Sequence, residues 1–194
     1  AGNGGNIGFY DVKGTDTLAL SGSYNINHYN YGYSRLATNI TNAGQATLNE
    51  SLYSSASSGF NTSWRNLSGG ALIINNSSDL VLSTPSYSAT LINDAGATIS
   101  KTGTGTTGIN WDVVNNGNIS VANGNAVLLS AGFSGNGTAN LDTSGSLALS
   151  GNLAANSSLA VNGGNIGFYD FKGTDTLALS GNYNINHYNY GNSR

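Results

Sequence analysis

The sequence predicts an all-β chain wound as a parallel β-helix, a β-solenoid built from tandem repeats of about 159 residues, with an array of β-sandwiches as second choice. Three observations lead there. Residues Asn3 to Arg35 return as Asn162 to Arg194 with 30 of 33 positions identical, the differences being Val12/Phe171, Ser23/Asn182 and Tyr33/Asn192. Short apolar clusters recur along the chain, while no sustained 3.6-residue stripe exists and Gly, Asn, Ser and Thr interrupt every candidate helix. Finally, no Pro-rich or charge-rich linker separates the two copies, so one core must run straight through 1–194. The simplest reading is a window of 1.22 repeats, 194 over 159, from a longer array in which something like Leu36-Ala37-Thr38-Asn39 follows Arg194.

The elements follow in order. Strand-like clusters stand at Thr17–Leu20, Ala71–Ile74, Leu80–Leu82, Ala89–Ile92, Ala97–Ile99, Asn118–Val121, Ala126–Leu129, Ser146–Leu149, Ser158–Val161 and Thr176–Leu179. Their starts are commonly about 8–12 residues apart, with turn residues between them. Asn115-Asn116-Gly117, Asn123-Gly124 and Asn162-Gly163-Gly164 suit tight corners, because Asn and Gly tolerate left-handed backbone angles. Small residues share the strands with Leu, Ile and Val, as a narrow core of coils about 4.8 Å apart requires. At roughly 20 to 25 residues per coil, one repeat makes about seven coils and spans on the order of 33 Å. Leu36 to Asn66 is the least regular stretch, either a loop excursion or coils with weak signals.

Composition excludes several classes of function. Charged residues make up 8% of the chain, against about 25% in an ordinary soluble domain. Six scattered basic residues and a net charge of −3 argue against nucleic acid as a partner, since phosphate contacts need clustered Lys and Arg. No apolar run approaches the ~20 residues of a membrane span. The chain has no Cys, which suits an oxidising, extracellular setting. Nine Asn-x-Ser/Thr sequons begin at Asn39, Asn49, Asn61, Asn66, Asn75, Asn76, Asn118, Asn136 and Asn156, most of them expected from composition alone.

Ala95-Gly-Ala-Thr-Ile-Ser-Lys-Thr-Gly-Thr-Gly-Thr-Thr107 followed by Asn115-Asn-Gly-Asn-Ile-Ser-Val-Ala-Asn-Gly124 resembles the coils of giant bacterial β-strand-repeat surface proteins, similar to autotransporter and filamentous-haemagglutinin-type adhesins. Gly145–Gly151 and Leu159–Gly164 continue the style, so the resemblance covers about residues 90 to 180. It implies a right-handed β-helix, secretion, and a role at the cell surface or in a filament. The Tyr-rich segment departs from that pattern.

That segment, Tyr24-Asn-Ile-Asn-His28-Tyr29-Asn30-Tyr31-Gly32 and its second copy Tyr183 to Gly191, is the most distinctive local chemistry. Tyr24, Asn27, His28, Tyr29 and Tyr31, with Tyr183, Asn186, His187, Tyr188 and Tyr190, form a candidate contact strip. Strand alternation puts Tyr24, Ile26 and His28 on one face, and Asn25, Asn27, Tyr29 and Tyr31 on the other. Such a strip serves packing and self-association first, and surface glycans second, because Tyr is rigid, large and polar at its tip. Each copy has a single His and no Cys, too few ligands for zinc. Asp11, Lys13 and Asp16, with Asp170, Lys172 and Asp175, hold two carboxylates about a Lys, which reads as turn capping or an ion pair before a paired-carboxylate glycosidase. Gly163 to Asp170 lacks the tandem spacing of a Ca²⁺-binding repeat, and Thr104-Gly-Thr106 and Thr15-Asp-Thr17 are isolated where an ice-binding face needs such pairs on every coil. No catalytic residue, metal or cofactor is expected. The expectation is a structural, adhesive extracellular protein forming a stiff fibre, stalk or filament. The rivals are a polysaccharide lyase or glycosidase on a β-helix, and a glycan-binding module.

Overall fold

The computed structural model describes residues 5–10, 12–27, 34–54, 61–75, 79–82, 88–154, 157–173 and 176–186. These form a parallel β-solenoid of about eight turns, with roughly 20 residues per turn and no helix among the described residues. One coil shows the plan: β12 (Gly105–Ile109), β13 (Asp112–Asn115) and β14 (Asn118–Val121) run along three faces in succession, and the next coil lies on them in parallel register.

The first face stacks the second half of β2 (Val12–Leu20), the second half of β4 (Ser34–Asn42), β7 (Thr62–Asn66), β10 (Ala89–Asn93), β13 and β16 (Phe133–Ser134). The second face stacks β1 (Gly5–Ile7), β3 (Ser23–Ile26), β5 (Gln45–Leu48), β8 (Ala71–Ile74), β11 (Thr98–Lys101), β14, β17 (Thr138–Leu141), and parts of β19 (Ser157–Lys172) and β20 (Leu177–Ile185). The third stacks the start of β4, then β6 (Leu52–Ser54), β9 (Leu80–Leu82), β12, β15 (Asn125–Leu129), β18 (Ser146–Asn152), and further parts of β19 and β20. Coil length varies with the corner loops. The coils from Thr98 to Asn118 and from Asn118 to Thr138 are equal and short, whereas those from Gln45 to Ala71 and from Ala71 to Thr98 are longer.

Alternation within each strand sends one set of side chains inward, where they form columns along the axis. On the second face Tyr24, Ala46, Leu72, Ile99, Ile119, Ala139 and Val161 are in register and all buried. Beside them run Ile26, Leu48, Ile74, Lys101 and Val121. The first face contributes Ile40, Trp64, Leu91, Val113 and Phe133. Each large aliphatic side chain so buried is worth about 1.5–3 kcal/mol, and because every coil rests on the one below, the core has no break between the repeat copies.

A polar column stands inside this apolar one, at the corner between the first and second faces. Asn42, Asn66, Asn93 and Asn115 are all fully buried. Asn42 Nδ2 donates to Asn66 Oδ1 (3.0 Å), and Asn93 Nδ2 to Asn115 Oδ1 (2.9 Å), with Asn66 Nδ2 to Asn93 Oδ1 longer at 3.4 Å. The same amides reach the corner backbone, Asn42 to Ala71 O (3.0 Å) and Asn93 to Asn118 O (3.1 Å). A turn inside a solenoid buries carbonyls that no strand pairs, and a side-chain amide supplies both donors and acceptors to satisfy them. One corner glycine is tightly constrained: a Cβ on Gly135, whose φ is +107°, would lie 2.2 Å from Asn115 O.

The two repeat copies make the same local pairing. Asn6 and Ile7 lie against Asn25 and Ile26, and Asn165 and Ile166 lie against Asn184 and Ile185. They do so on different faces. From Asn6 the register climbs the second face through Asn25, Thr47, Ile73, Ser100, Ser120 and Asn140 to Asn162, seven steps; its repeat equivalent Asn165 stands on the next face, over Ser146. One repeat, from Asn6 to Asn165, therefore advances the solenoid by seven and one-third turns.

Of the irregular stretch Leu36 to Asn66, the described residues, 36–54 and 61–66, form the coil strands β4 to β7 and their corners. Its strands were hard to see because they bury Ala37, Thr38, Ser54 and Thr62 beside the larger residues. All ten expected clusters overlap strands, with Ala97 and Thr176 one residue ahead of theirs.

Candidate contact surface

The residues that point outward define what the solenoid can touch. On the second face they form two rows in register. One contains Ser23, Gln45, Ala71, Thr98, Asn118, Thr138, Ala160 and Ser180; the other contains Asn6, Asn25, Thr47, Ile73, Ser100, Ser120, Asn140, Asn162 and Asn182. None of these is charged or aromatic, and apart from Ala71, Ile73 and Ala160 the rows consist of hydroxyl and amide side chains. The amides bond along the axis: Asn140 Nδ2 donates to Asn118 Oδ1 (2.8 Å), and Asn162 Nδ2 to Asn140 Oδ1 (2.9 Å).

A second external ladder follows the strand ends of the same face. Asn27 Nδ2 donates to Asn6 Oδ1 (2.9 Å), Asn49 Nδ2 to Asn27 Oδ1 (2.8 Å), Asn75 Nδ2 to Asn49 Oδ1 (2.8 Å), and Thr102 Oγ1 to Asn75 Oδ1 (3.0 Å). An ion pair stands on the first face, where Arg65 Nε meets Asp94 Oδ2 at 2.9 Å. That pair is partly exposed and contributes little to stability.

The structure divides the sequence-derived strip. Tyr24 belongs to the core, at 5% exposure with its hydroxyl donating to Asn42 Oδ1 (2.8 Å), so it caps the internal Asn column and does not contact anything outside. The alternation that buries Ile26 buries Tyr24 with it. Tyr183, its repeat equivalent, is partly buried and packs on the core. Asn27 and Asn186 occupy equivalent ladder positions, Asn186 Nδ2 donating to Asn165 Oδ1 at 2.6 Å. His28, Tyr29, Tyr31, His187, Tyr188 and Tyr190 lie outside the described residues. So do Asp11, Asp175 and the side chain of Asp170; of the first Asp/Lys cluster, Lys13 and Asp16 are described and exposed.

Several features escape a reading by residue type. Tyr10, at 72% exposure, and Tyr169, at 39%, are the same repeat position and present their rings to solvent in both copies. Lys101 is fully buried in an aliphatic column, its ammonium donating to Gly103 O (2.7 Å). Burial holds its pKa below the ordinary lysine value, with the Asp79 charge acting the other way. Burial likewise raises the Tyr24 hydroxyl above the usual tyrosine range. The Asn column has a readable signal in hindsight, an Asn two or three residues before a corner Gly: Asn42/Gly44, Asn66/Gly69, Asn93/Gly96 and Asn115/Gly117. Full burial also removes Asn66 from the usable sequons. Among the described residues no group of three or more His, Cys, Asp or Glu side chains converges as a metal site, and no helix is long and apolar enough to cross a membrane.

Comparison with protein families, with curated proteins and with solved structures returns no match.

Proposed function

We propose that this protein is a structural, adhesive element of an extracellular surface, a stiff fibre or stalk whose coils bear load and whose outward Asn, Ser, Thr and Tyr residues make lateral contacts. The observation that carries this reading is the repeat itself. A segment from Asn3 to Arg35 recurs almost unchanged and is built into the stack with the same Asn–Asn and Ile–Ile pairing each time. Selection for length preserves such stacking residues, because each coil serves only its neighbours. The uncharged second face and the absence of cysteine suit an exposed filament. The likeness of residues 90 to 180 to giant surface adhesins supports the same reading. The role is mechanical, with other copies of the fibre as first partner.

A second reading, contact with surface glycans, is favoured by the repeated exposed rings of Tyr10 and Tyr169. An aromatic face stacks on a sugar ring while neighbouring amides bond its hydroxyls.

Electron microscopy of native material, with diffraction along any rod, tests the first reading. Rods with an axial spacing of about 4.8 Å support it, and discrete globular particles overturn it. Glycan binding that is lost in Tyr10→Ala/Tyr169→Ala, with the fold kept, would move the weight to the second.

A further inference from the structure

In the middle of the stack, at the corner between the second and third faces, two polar side chains enter the apolar core from adjacent coils. Lys101, the last residue of β11, is fully buried between Ile74 of the coil below and Val121 of the coil above. Asn125, the first residue of β15 in that upper coil, shares the inward side of its strand with Val127 and Leu129 and is buried with them. Its Oδ1 has no hydrogen-bond partner, while its Nδ2 donates to Asn123 O (3.3 Å).

The backbone ties the two positions together. Lys101 O accepts from Ala122 N (3.1 Å), and Ala122 O accepts from Asn125 N (3.2 Å), so that β11 and β15 lie against each other across the corner. The coil below contributes Asp79, whose Oδ1 is held by Gly108 N (2.7 Å) and whose charge acts on Lys101. Burial disfavours the ammonium and so favours the free amine, which is the nucleophilic form of lysine. A buried charge and a buried amide oxygen without a donor are both costly. Joining the two side chains would remove the charge.

We propose that Lys101 and Asn125 are the two halves of an intramolecular isopeptide bond, with Asp79 as the proton carrier. The flexible stem of Lys101 releases Gly103 O and turns to Asn125. Nζ gives one proton to the Asp79 carboxylate, and its lone pair attacks Asn125 Cγ. As the Cγ–Nζ bond forms the Cγ–Nδ2 bond breaks. Nδ2 takes a second proton from Nζ and leaves as ammonia, which recovers the first proton from Asp79 and departs as ammonium. Nothing is oxidised or reduced, and proximity makes the single turnover possible. The product ties one coil covalently to the next. The bond needs no second molecule, and it stands whether or not the chain builds a fibre.

The test uses the full folded chain held at neutral pH. Its intact mass is expected to fall short of the sequence mass by one ammonia. Trypsin does not cut after an acylated lysine, so the denatured chain should keep residues 66–172 as one fragment, bounded by Arg65 and Lys172. Lys101→Arg and Asn125→Ala, checked for folding by circular dichroism, should both keep the full mass and be cut after position 101. Asp79→Asn should slow the linkage about a hundredfold. A wild-type chain of full mass overturns the bond. So does one that loses ammonia but is still cut after Lys101, since cyclised Asn-Gly steps lose ammonia too. An Asp79→Asn chain that links as fast as wild type overturns the proton carrier. Where the variants fail to fold, the wild-type mass and digest decide alone.

Discussion

Ile26 and Ile185 are one residue of the repeat in two environments. Ile26 is fully buried under Leu48 of the next coil, while Ile185, with the same pairing below it, is 66% exposed. The stability contributed by a solenoid residue therefore comes from the coil above as much as from the coil in which it sits. Ile26→Ala should cost about 3 kcal/mol through lost burial and a cavity, and Ile185→Ala should stay within about 0.5 kcal/mol. Urea unfolding of the two variants checks the difference; equal effects would mean the top edge is covered in solution.

The internal amide column makes a second prediction. Asn66 Oδ1 accepts from Asn42 Nδ2 at 3.0 Å and from Trp64 Nε1 at 2.8 Å. Asn66→Ala leaves Trp64 Nε1 buried without its acceptor and the Asn42 amide with only Ala71 O, at a cost of about 3 kcal/mol. Asn140→Ala, which removes an exposed ladder amide, is expected to cost about 0.5 kcal/mol or less. Thermal melts of the pair separate an internal ladder from an external one.

Tyr24 should make the fold sensitive to alkali. Its folded pKa is raised by burial above the unfolded value of 10.0, so folded chains hold the proton where unfolded chains release it. That contribution is complete below pH 10 and is lost as pH climbs from there toward the folded pKa. Lys101, whose pKa is lowered, works in the opposite sense below its unfolded value of 10.5, so the wild type is best compared with Tyr24→Phe. The variant should be less stable at neutral pH by about 1 kcal/mol, from its lost bond to Asn42. Its stability should fall less steeply than that of the wild type above pH 10. Parallel slopes in denaturant titrations would remove Tyr24 as the cause.

Corner glycines should divide into two classes. Gly135 has a φ of +107° and no room for a Cβ beside Asn115 O, whereas Gly69, at +82°, has open space. Gly135→Ala should cost at least about 2 kcal/mol, and Gly69→Ala only the backbone penalty of about 1 kcal/mol. Chemical denaturation of both checks the order.

Much of this architecture was legible in the sequence. The apolar clusters marked strands because a buried column needs Leu, Ile or Val at each level, and Asn-Gly steps marked corners. Leu36 to Asn66 hid its strands for the opposite reason: Thr38, Ser54 and Thr62 occupy inward positions where a pattern reader expects aliphatics. The contact strip was only half legible. Alternation grouped Tyr24 with Ile26, but which of two alternating faces is inside depends on what the neighbouring coil offers, and here that is Asn42. The buried Lys101 gave no local warning, since Thr-Ile-Ser-Lys reads like any strand that ends in a charge.

The extra third of a turn between the two copies would have a mechanical consequence in any longer array of such repeats. A three-sided rod with every repeat in the same orientation would bend most easily in one fixed direction, toward its weakest side. Advancing by a third of the circumference each time sends that weak side round the axis like the thread of a screw. It returns to its starting azimuth only after three repeats, about 105 Å at about 4.8 Å per coil. A shaft assembled this way resists flexing equally from every quarter, and it offers each of its sides in turn to whatever lies alongside.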